Sequence, residues 1–572
     1  MRRGGEGVRP AILHARDLAG CEHRLALDVS HPQLAADRPR TAEAVRRTEA
    51  ANSHRDRVRD LLRAMHSDQP PGTFVIIGPE RTSERVAATL RACADGASWI
   101  WNATLPTDVD GGRRGHSELL ARVGDGYLPV IVVNHRVSYP AKVRRDLTPD
   151  ATPFLTSPLW GWLPTHDPYR TGRNHRRDQM RLAHLTQMLL DLGLAPSGDE
   201  SRLLGGSIGL DADCIVVHRT GTLLREYREV FTRRQAVASG DVLTAARRVS
   251  ECRSCPWWPR CEPELVQRRD VSLVASGNQA DLLVESGVTT IDQLARHRGP
   301  APQSWPSNIA FDDAVSTAIA WLADIPLIRR VEEPQVRRAD VEVDVDMESY
   351  GEDGAYMWGT LLTDRVESDR PVIYRAFVTW QPLPTRDEAR SFAEFWTWLM
   401  AERAGAHAQG KTFAAYCYSQ QAENRWLRST VDRFADADGI PPRADVEDFI
   451  ASDEWVDIYE AVGANFVCPQ GKGLKRIAPV AGFTWRDAEA GGAASMDWYK
   501  RAVGLDGVDV DLSQRDRLLE YNEDDVRATK VLREWMVEPA ARALPLRDDL
   551  LAFRQSGSDS RTTASDSHAH RA

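Results

Sequence analysis

Apolar and polar positions alternate with period two in some stretches of this chain and recur near period 3.6 in others. "TFVIIGPE" is a short apolar run that reads as a buried strand, and "RTSERVAATLRACADG" after it has helical spacing and a terminal Gly. "SELLARVGDGYLPVIVVNHRV" predicts two strands around a Gly-Asp-Gly turn. "DQMRLAHLTQMLLDLG" predicts an amphipathic helix ended by Gly193, and "GSIGLDADCIVVHR" a further strand pair. "SLVASGNQADLLVESGVTTIDQLARH" holds two short helices with Gly277 and Gly287 near their junctions, and the Pro-rich "GPAPQSWPSN" closes that stretch. Farther on, "ADVEVDVDMES" alternates as a strand does, with "AYMWGTLLTD" and "VIYRAFVTW" as its partners. Helices follow, the last of them in "SQRDRLLEYNEDDVRATKVLREWM".

Strands mixed with helices, and strands first with helices after, predict an α/β protein. The pattern divides as a tail at 1–10, a first block at 11–265, a helical region and connector at 266–337, a second block at 338–545 and a tail at 553–572. Both tails are expected to be disordered, the second because it is rich in Ser, Thr and Asp and short of apolar residues. A length of 572 residues agrees with several domains.

Composition changes the picture in two places. No apolar run approaches the ~18–20 residues that cross a bilayer, and the basic start has no apolar core of signal-peptide length. We therefore expect a cytoplasmic protein, where thiols stay reduced and clustered cysteines point to metal or catalysis before disulfides. A net charge of -10 excludes a surface coated in positive charge but leaves room for a local basic groove.

Three of the eight cysteines stand in "CRSCPWWPRC" as Cys252, Cys255 and Cys261, spaced C-x2-C-x5-C. A tetrahedral site needs a fourth thiolate. Cys93 and Cys214 read as core residues, and Cys21, in a turn near the N-terminus, is the best candidate. Zinc sites usually come as two close pairs, whereas iron–sulfur clusters take thiolates from wherever the fold delivers them. Zinc and unliganded thiols remain the alternatives.

"VEVDVDMES" places Asp344, Asp346 and Glu348 on one face of a strand, because strand side chains alternate. Adjacent acids repel, and a divalent cation removes that cost; an exposed polar strand face is the plain alternative. In "LLEYNEDDVRATKVL", Tyr521 and Asp525 are four apart and share a helix face.

Two resemblances follow from these residues. One cysteine before a nuclease core and a C-x2-C-x5-C triplet after it resembles the iron–sulfur nucleases of the RecB-like superfamily, such as the AddB subunit of bacterial helicase–nucleases. There a 4Fe-4S cluster ties the two ends of the domain together. D-x-E on a first strand with Y-x3-D on a late helix resembles the DnaQ-like DEDD exonucleases of ribonuclease H fold, and "YNEDDVRAT" resembles the third motif of YprB-like predicted exonucleases. Together they resemble a two-module bacterial nuclease family that covers most of residues 11–540.

The second resemblance implies 3′ to 5′ hydrolysis of phosphodiesters at a two-metal site of Mg²⁺ or Mn²⁺. Asp346, Glu348 and Asp525 would hold the metals, Tyr521 would orient water, and Glu423 in "YCYSQQAENRWL" would be the remaining acid. Asp457 would be a further structural or metal-facing acid, and Lys472 and Lys475 in "GKGLKRIAPVAGFTW" would touch a nucleic-acid backbone.

The first block departs from its family. Glu118 stands where the first acid belongs, but the next strand offers Ile131 or Val133 at the acid position and Val133 or His135 at the lysine position. Arg181 and Leu185 replace the Gln and Tyr of the following helix. The expectation is a degenerate nuclease site used to bind or guide DNA, with Arg173, Arg176 and Arg177 in "YRTGRNHRRDQ" as phosphate contacts. The small helical stretch resembles a helix–hairpin–helix. No G-x4-G-K-S/T loop is present, so an unwinding helicase would be a separate partner. The rival functions are a catalytically weakened binding scaffold in DNA repair and an RNA-directed exonuclease.

Overall fold

In a computed structural model, residues 10–36, 42–78, 81–141, 153–173, 175–275, 277–367, 371–489 and 491–552 are described. The expected tails at 1–10 and 553–572 lie outside these residues, apart from Pro10. The chain divides into two compact units, Met1–Leu265 and Val266–Ala572. Among the described residues no helix is long and apolar enough to cross a membrane.

The first unit is built on an eight-stranded mixed sheet. Its strands, in chain order, are β1 (Phe74–Ile76), β2 (Trp99–Thr104), β3 (His116–Val123), β4 (Gly126–Val132), β5 (Leu155–Ser157), β6 (Thr165–His166), β7 (Gly205–Ile208) and β8 (Ile215–His218). In space they run β1-β2-β3-β4-β7-β8-β5-β6. β3 and β4 form the hairpin that the Gly-Asp-Gly turn predicts, with Gly124 in the left-handed region (φ +60°), and β7 joins β4 in parallel.

Alternation along β3 and β4 divides the core. Leu120 and Ile131 face one layer with Leu182, Leu185 and Leu189 of helix Arg176–Asp191, while Leu119, Val130 and Val132 face the other with Val58 and Leu62 of helix Ala42–Met65. Glu118 is even-numbered like Leu120, which turns it toward the helix at Arg176–Asp191.

The second unit begins with helices. Asn278–Glu285, Ile291–Ala295 and Phe311–Ala323 bury their own apolar cluster, including Leu283, Ile291, Leu294, Val315 and Ala318. Thr290 caps the middle helix by accepting from the Gln293 N–H, and Gly287 supplies the left-handed turn before it (φ +82°).

A five-stranded sheet follows, made of β9 (Val341–Tyr350), β10 (Gly354–Asp364), β11 (Ile373–Val378), β12 (Phe413–Cys417) and β13 (Trp455–Asp457), in the order β11-β10-β9-β12-β13. The first three are antiparallel neighbours, and β12 joins β9 in parallel. Val341, Val343 and Val345 pack on Phe392, Phe395 and Leu399 of helix Asp387–Ala408. The ring of Trp358 stacks on Phe395 at 4.7 Å on the same side. Glu342, Asp344, Asp346 and Glu348 therefore turn to the opposite face, which helix Ser513–Trp535 covers. A bulge between Glu348 and Ser349 ends the regular pairing just after the last acid.

Candidate active site

Four acids share one sheet face, and two of them have a counter-charge within the protein. Glu342 and Asp344 are fully buried, and so is Arg533, two helical turns past Asp525 on helix Ser513–Trp535. Arg533 donates to Asp344 at 2.8 and 3.3 Å and also to Glu342, which takes two further bonds from Arg338 at 2.7 and 3.0 Å. These guanidinium charges hold the Glu342 carboxyl down at about 2 despite its burial. Burial outweighs Arg533 at Asp344 and lifts it to about 6.

Asp346 and Glu348 receive no guanidinium. With Asp525, each offers a carboxylate oxygen, and the three lie within 4.8 Å of one another. None of the three makes an ion pair among the described residues. Burial and then the charges of Asp525, Glu348 and Glu423 push Asp346 well above the carboxylate range. Burial and Asp525 push Glu348 to about 8, and burial raises Asp525 too. Three mutually repelling carboxylates with raised proton affinity, two of them buried and Asp346 partly so, are a donor set that a divalent cation relieves.

Around them the partners are neutral. The Asn522 amide donates to Asp346 at 2.7 Å and is itself held by the Tyr374 hydroxyl at 2.8 Å. The Trp485 indole N–H donates to Asp525 at 2.6 Å, and the Ser495 hydroxyl donates to Glu348 at 3.4 Å. Gly359 lies opposite Asp346 on β10, and a Cβ built there would stand 1.5 Å from the Asn522 amide oxygen. Only a glycine leaves Asn522 room to reach Asp346. The neighbouring acids of the helix are paired elsewhere: Asp524 with Arg486 at 2.8 Å, and Glu523 with Arg486 and Arg527 at 3.0 and 2.7 Å.

Tyr521 shares the face of Asp525, and its hydroxyl accepts from Lys475 Nζ at 3.0 Å. The Lys475 ammonium also lies over the Tyr521 ring at 4.3 Å and draws down the proton affinities of all three acids. Glu423, in the first turn of helix Gln421–Arg433, is buried with Oε2 unpartnered and is pushed to about 8 by burial and Asp457. It acts on Asp346 electrostatically but stands outside the 4.8 Å set. Asp457 accepts from the backbone N–H groups of Ser419, Gln420 and Tyr459, so it shapes the turn that leads to Glu423. Lys472 lies over the Tyr459 ring at 3.8 Å.

In the first unit, Glu118 is buried and accepts from Arg181 at 2.7 Å through both oxygens, with Arg55 at 3.5 Å. Ile131 and Val133 are core residues there. Arg181, at the position where the resemblance expects Gln, carries the charge that satisfies Glu118. His135 bonds Asp178 at 2.9 Å. Arg173, Arg176 and Arg177 are exposed, and Arg176 pairs with Glu226 at 2.6 Å.

Cys21, Cys252, Cys255 and Cys261 line one cavity of about 810 Å³, together with Arg177, Arg234, Trp257 and Trp258. Arg234 Nη1 is buried without a partner, and burial plus the other three thiols raise Cys261 to about 11. No three of these sulfurs lie within 4.8 Å of one another among the described residues.

Sequence reasoning missed Asn522, Trp485, Gly359 and Arg533. Asn522 sits inside the quoted "YNEDD", but an i+1 neighbour of Tyr521 gives no spacing signal. The others are joined to the acids only through space.

Residues 385–537 match the RNase_H_2 family model, of the RNase_H superfamily. The C-terminal region thus contains a ribonuclease H-like domain. The matched span holds Glu423, Lys475, Trp485, Tyr521 and Asp525, and Asp346 and Glu348 precede it. No curated protein and no solved structure matches the chain. A ribonuclease H-like domain with a candidate divalent-metal cluster is consistent with nuclease activity in general terms.

Proposed function

We propose that this chain is a metal-dependent nuclease that hydrolyses phosphodiester bonds in DNA, by resemblance in the 3′ to 5′ direction. The observation that carries the reading is the convergence, without a guanidinium, of Asp525 on its helix with Asp346 and Glu348 on a strand whose other two acids have one. Mg²⁺ or Mn²⁺ bound there would polarise the phosphate and lower the pKa of a bound water. Asp346, Glu348 and Asp525 would hold the metal, and Glu423, with its unpartnered oxygen, is the fourth acid. Asn522 and Trp485 keep the Asp346 and Asp525 oxygens oriented while leaving them anionic. Tyr521 positions the attacking water, and its bond from Lys475 fixes the phenol. Lys475 also places a positive charge where a phosphate would enter.

The first unit is read as a RecB-like fold that binds or guides DNA without cutting. Glu118 has two arginines in place of a cation, which supports that reading. The four cysteines fit a 4Fe-4S cluster: they share one cavity, and Arg234 offers it an unsatisfied donor. A lone zinc ion, with Zn–S of about 2.3 Å, would need the sulfurs about 3.8 Å apart. Among the described residues no three of the sulfurs lie within 4.8 Å of one another, which is wider than a lone zinc ion would hold them. Such a group would tie the two ends of the first unit together.

The test is an end-labelled nuclease assay with Mg²⁺ and Mn²⁺ on single- and double-stranded DNA and on RNA, with an absorption spectrum of anaerobically purified protein. Stepwise loss from the 3′ end that disappears in Asp346→Asn supports the reading. Undiminished metal-dependent cutting by Asp346→Asn, or no cutting by the unaltered chain, overturns it. Preference for RNA would select the RNA-directed alternative.

A further inference from the structure

A second group of metal-type donors stands in the first unit, apart from the cysteines and from Glu118. The chain leaves β4 at Val132 and passes through His135. Helix Arg176–Asp191 begins with His175 as its N-cap residue and carries Asp178 in its first turn. Each of the three offers one ligand atom, and these lie within 4.8 Å of one another. His135 Nε2 is 2.9 Å from Asp178 Oδ2, and the two imidazole rings have centroids 4.1 Å apart.

Two details separate this group from an ordinary His–Asp pair. The His175 side chain makes no cap bond to the helix it precedes, so the start of the helix does not use its ring nitrogens. Its Nε2 is buried with no hydrogen-bond partner. A buried ring nitrogen without a partner costs stability, and it keeps a donor atom available. Asp178 is nearly buried, so its charge needs more than solvent to offset it. The partial positive charge of the helix N-terminus opposes a cation there, and the carboxylate offsets it.

We propose that His135, His175 and Asp178 form a binding site for one divalent transition-metal ion of the zinc type. Two imidazoles and one carboxylate suit zinc, iron(II) or nickel better than magnesium, which favours all-oxygen shells. Metal–donor lengths of about 2.0–2.2 Å put tetrahedral donors about 3.4 Å apart, so a bound ion would replace the 2.9 Å His135–Asp178 hydrogen bond and draw the His175 nitrogen toward that pair. Three protein donors leave a coordination position for water or for an anionic oxygen such as that of a phosphate. The ion would join the segment after β4 to the start of the helix, beside the exposed Arg173.

The test uses the full chain carrying Asp346→Asn, which weakens the C-terminal acid cluster; any zinc that cluster still takes is the same in parent and variants and cancels in the difference. Zn²⁺ is added, excess is removed by dialysis, and bound zinc is counted by elemental analysis. We expect His175→Ala and His135→Gln each to lose one equivalent of zinc relative to this parent, with unfolding midpoints that show both are folded. The cysteines are present in every sample, so zinc on them cancels in the difference. Diffraction at the zinc edge on the unaltered chain is the second measurement, with an anomalous peak expected within coordination distance of all three residues. Equal zinc content in parent and folded variants, or no peak there in zinc-soaked crystals, overturns the proposal.

Discussion

Glu118 in the first unit and Asp346 in the second are both acids on central strands facing a helix, yet they are compensated differently. Glu118 takes a two-pronged bond from Arg181 and a nearby Arg55, so its charge is answered within the protein. Asp346 meets an amide, two more carboxylates and a lysine set back behind Tyr521. A buried acid is thus no sign of a metal site until its counter-charge has been traced. The second unit repeats the contrast along one strand, where Arg533 answers Glu342 and Asp344 and nothing of its kind reaches Asp346 and Glu348.

The largest expected effect breaks the comparison at the metal side. Asp525→Asn should lower metal-dependent cutting by about 10³-fold, the scale of losing a charge-stabilising group in the site, with the unfolding midpoint unchanged or raised. Glu118→Gln should leave cutting within about twofold, measured in the same assay. Strong loss in the second variant would mean that the first unit also contributes to cutting.

Next is the arginine side. Arg533→Met leaves Glu342 and Asp344 buried with less compensation, and should cost about 3–5 kcal/mol in denaturant unfolding. Swapping charge for bulk at Glu118, as Glu118→Leu, leaves Arg181 exposed enough to find water and should cost less.

Asn522→Ala should weaken Mn²⁺ binding by about 10–100-fold, the usual range for groups that orient a metal ligand. Gly359→Ala should have a similar, smaller effect by displacing the Asn522 amide, with titration calorimetry as the measurement.

The smallest effect is in pH. Glu348 is raised to about 8 in the folded metal-free protein, against about 4.3 for an unperturbed Glu. The folded state therefore binds more protons than the unfolded state between these values, and metal-free stability falls as pH rises through that window. A divalent ion needs the ionised acid, so its stabilising shift in melting temperature should grow from pH 5 to pH 8. A shift that is equal at both pH values would remove Glu348 from the site.

Much of the fold was legible. The hairpin at Gly124, the helix ended by Gly193 and the strands of 339–380 follow from local signals, because turn glycines and period-two alternation act within a few residues. The Tyr521 and Asp525 pairing on one helix face was equally local. Asp344 shows the limit. Alternation put it beside Asp346, and no pattern in the neighbouring residues disclosed that an arginine 189 positions away would neutralise it. The same limit hid the His135, His175 and Asp178 group, whose members lie 43 positions apart at most.

By itself the chain of residues determined that Glu342, Asp344, Asp346 and Glu348 share a sheet face, since that depends only on the pleat of a strand. It also determined that Tyr521 and Asp525 share one face of a helix, one turn apart. Which acids are left for an ion was decided by tertiary structure alone. Compensation is a Coulomb interaction, set by the distance between side chains in space and by the water excluded around them, and neither quantity exists until sheet and helix pack together.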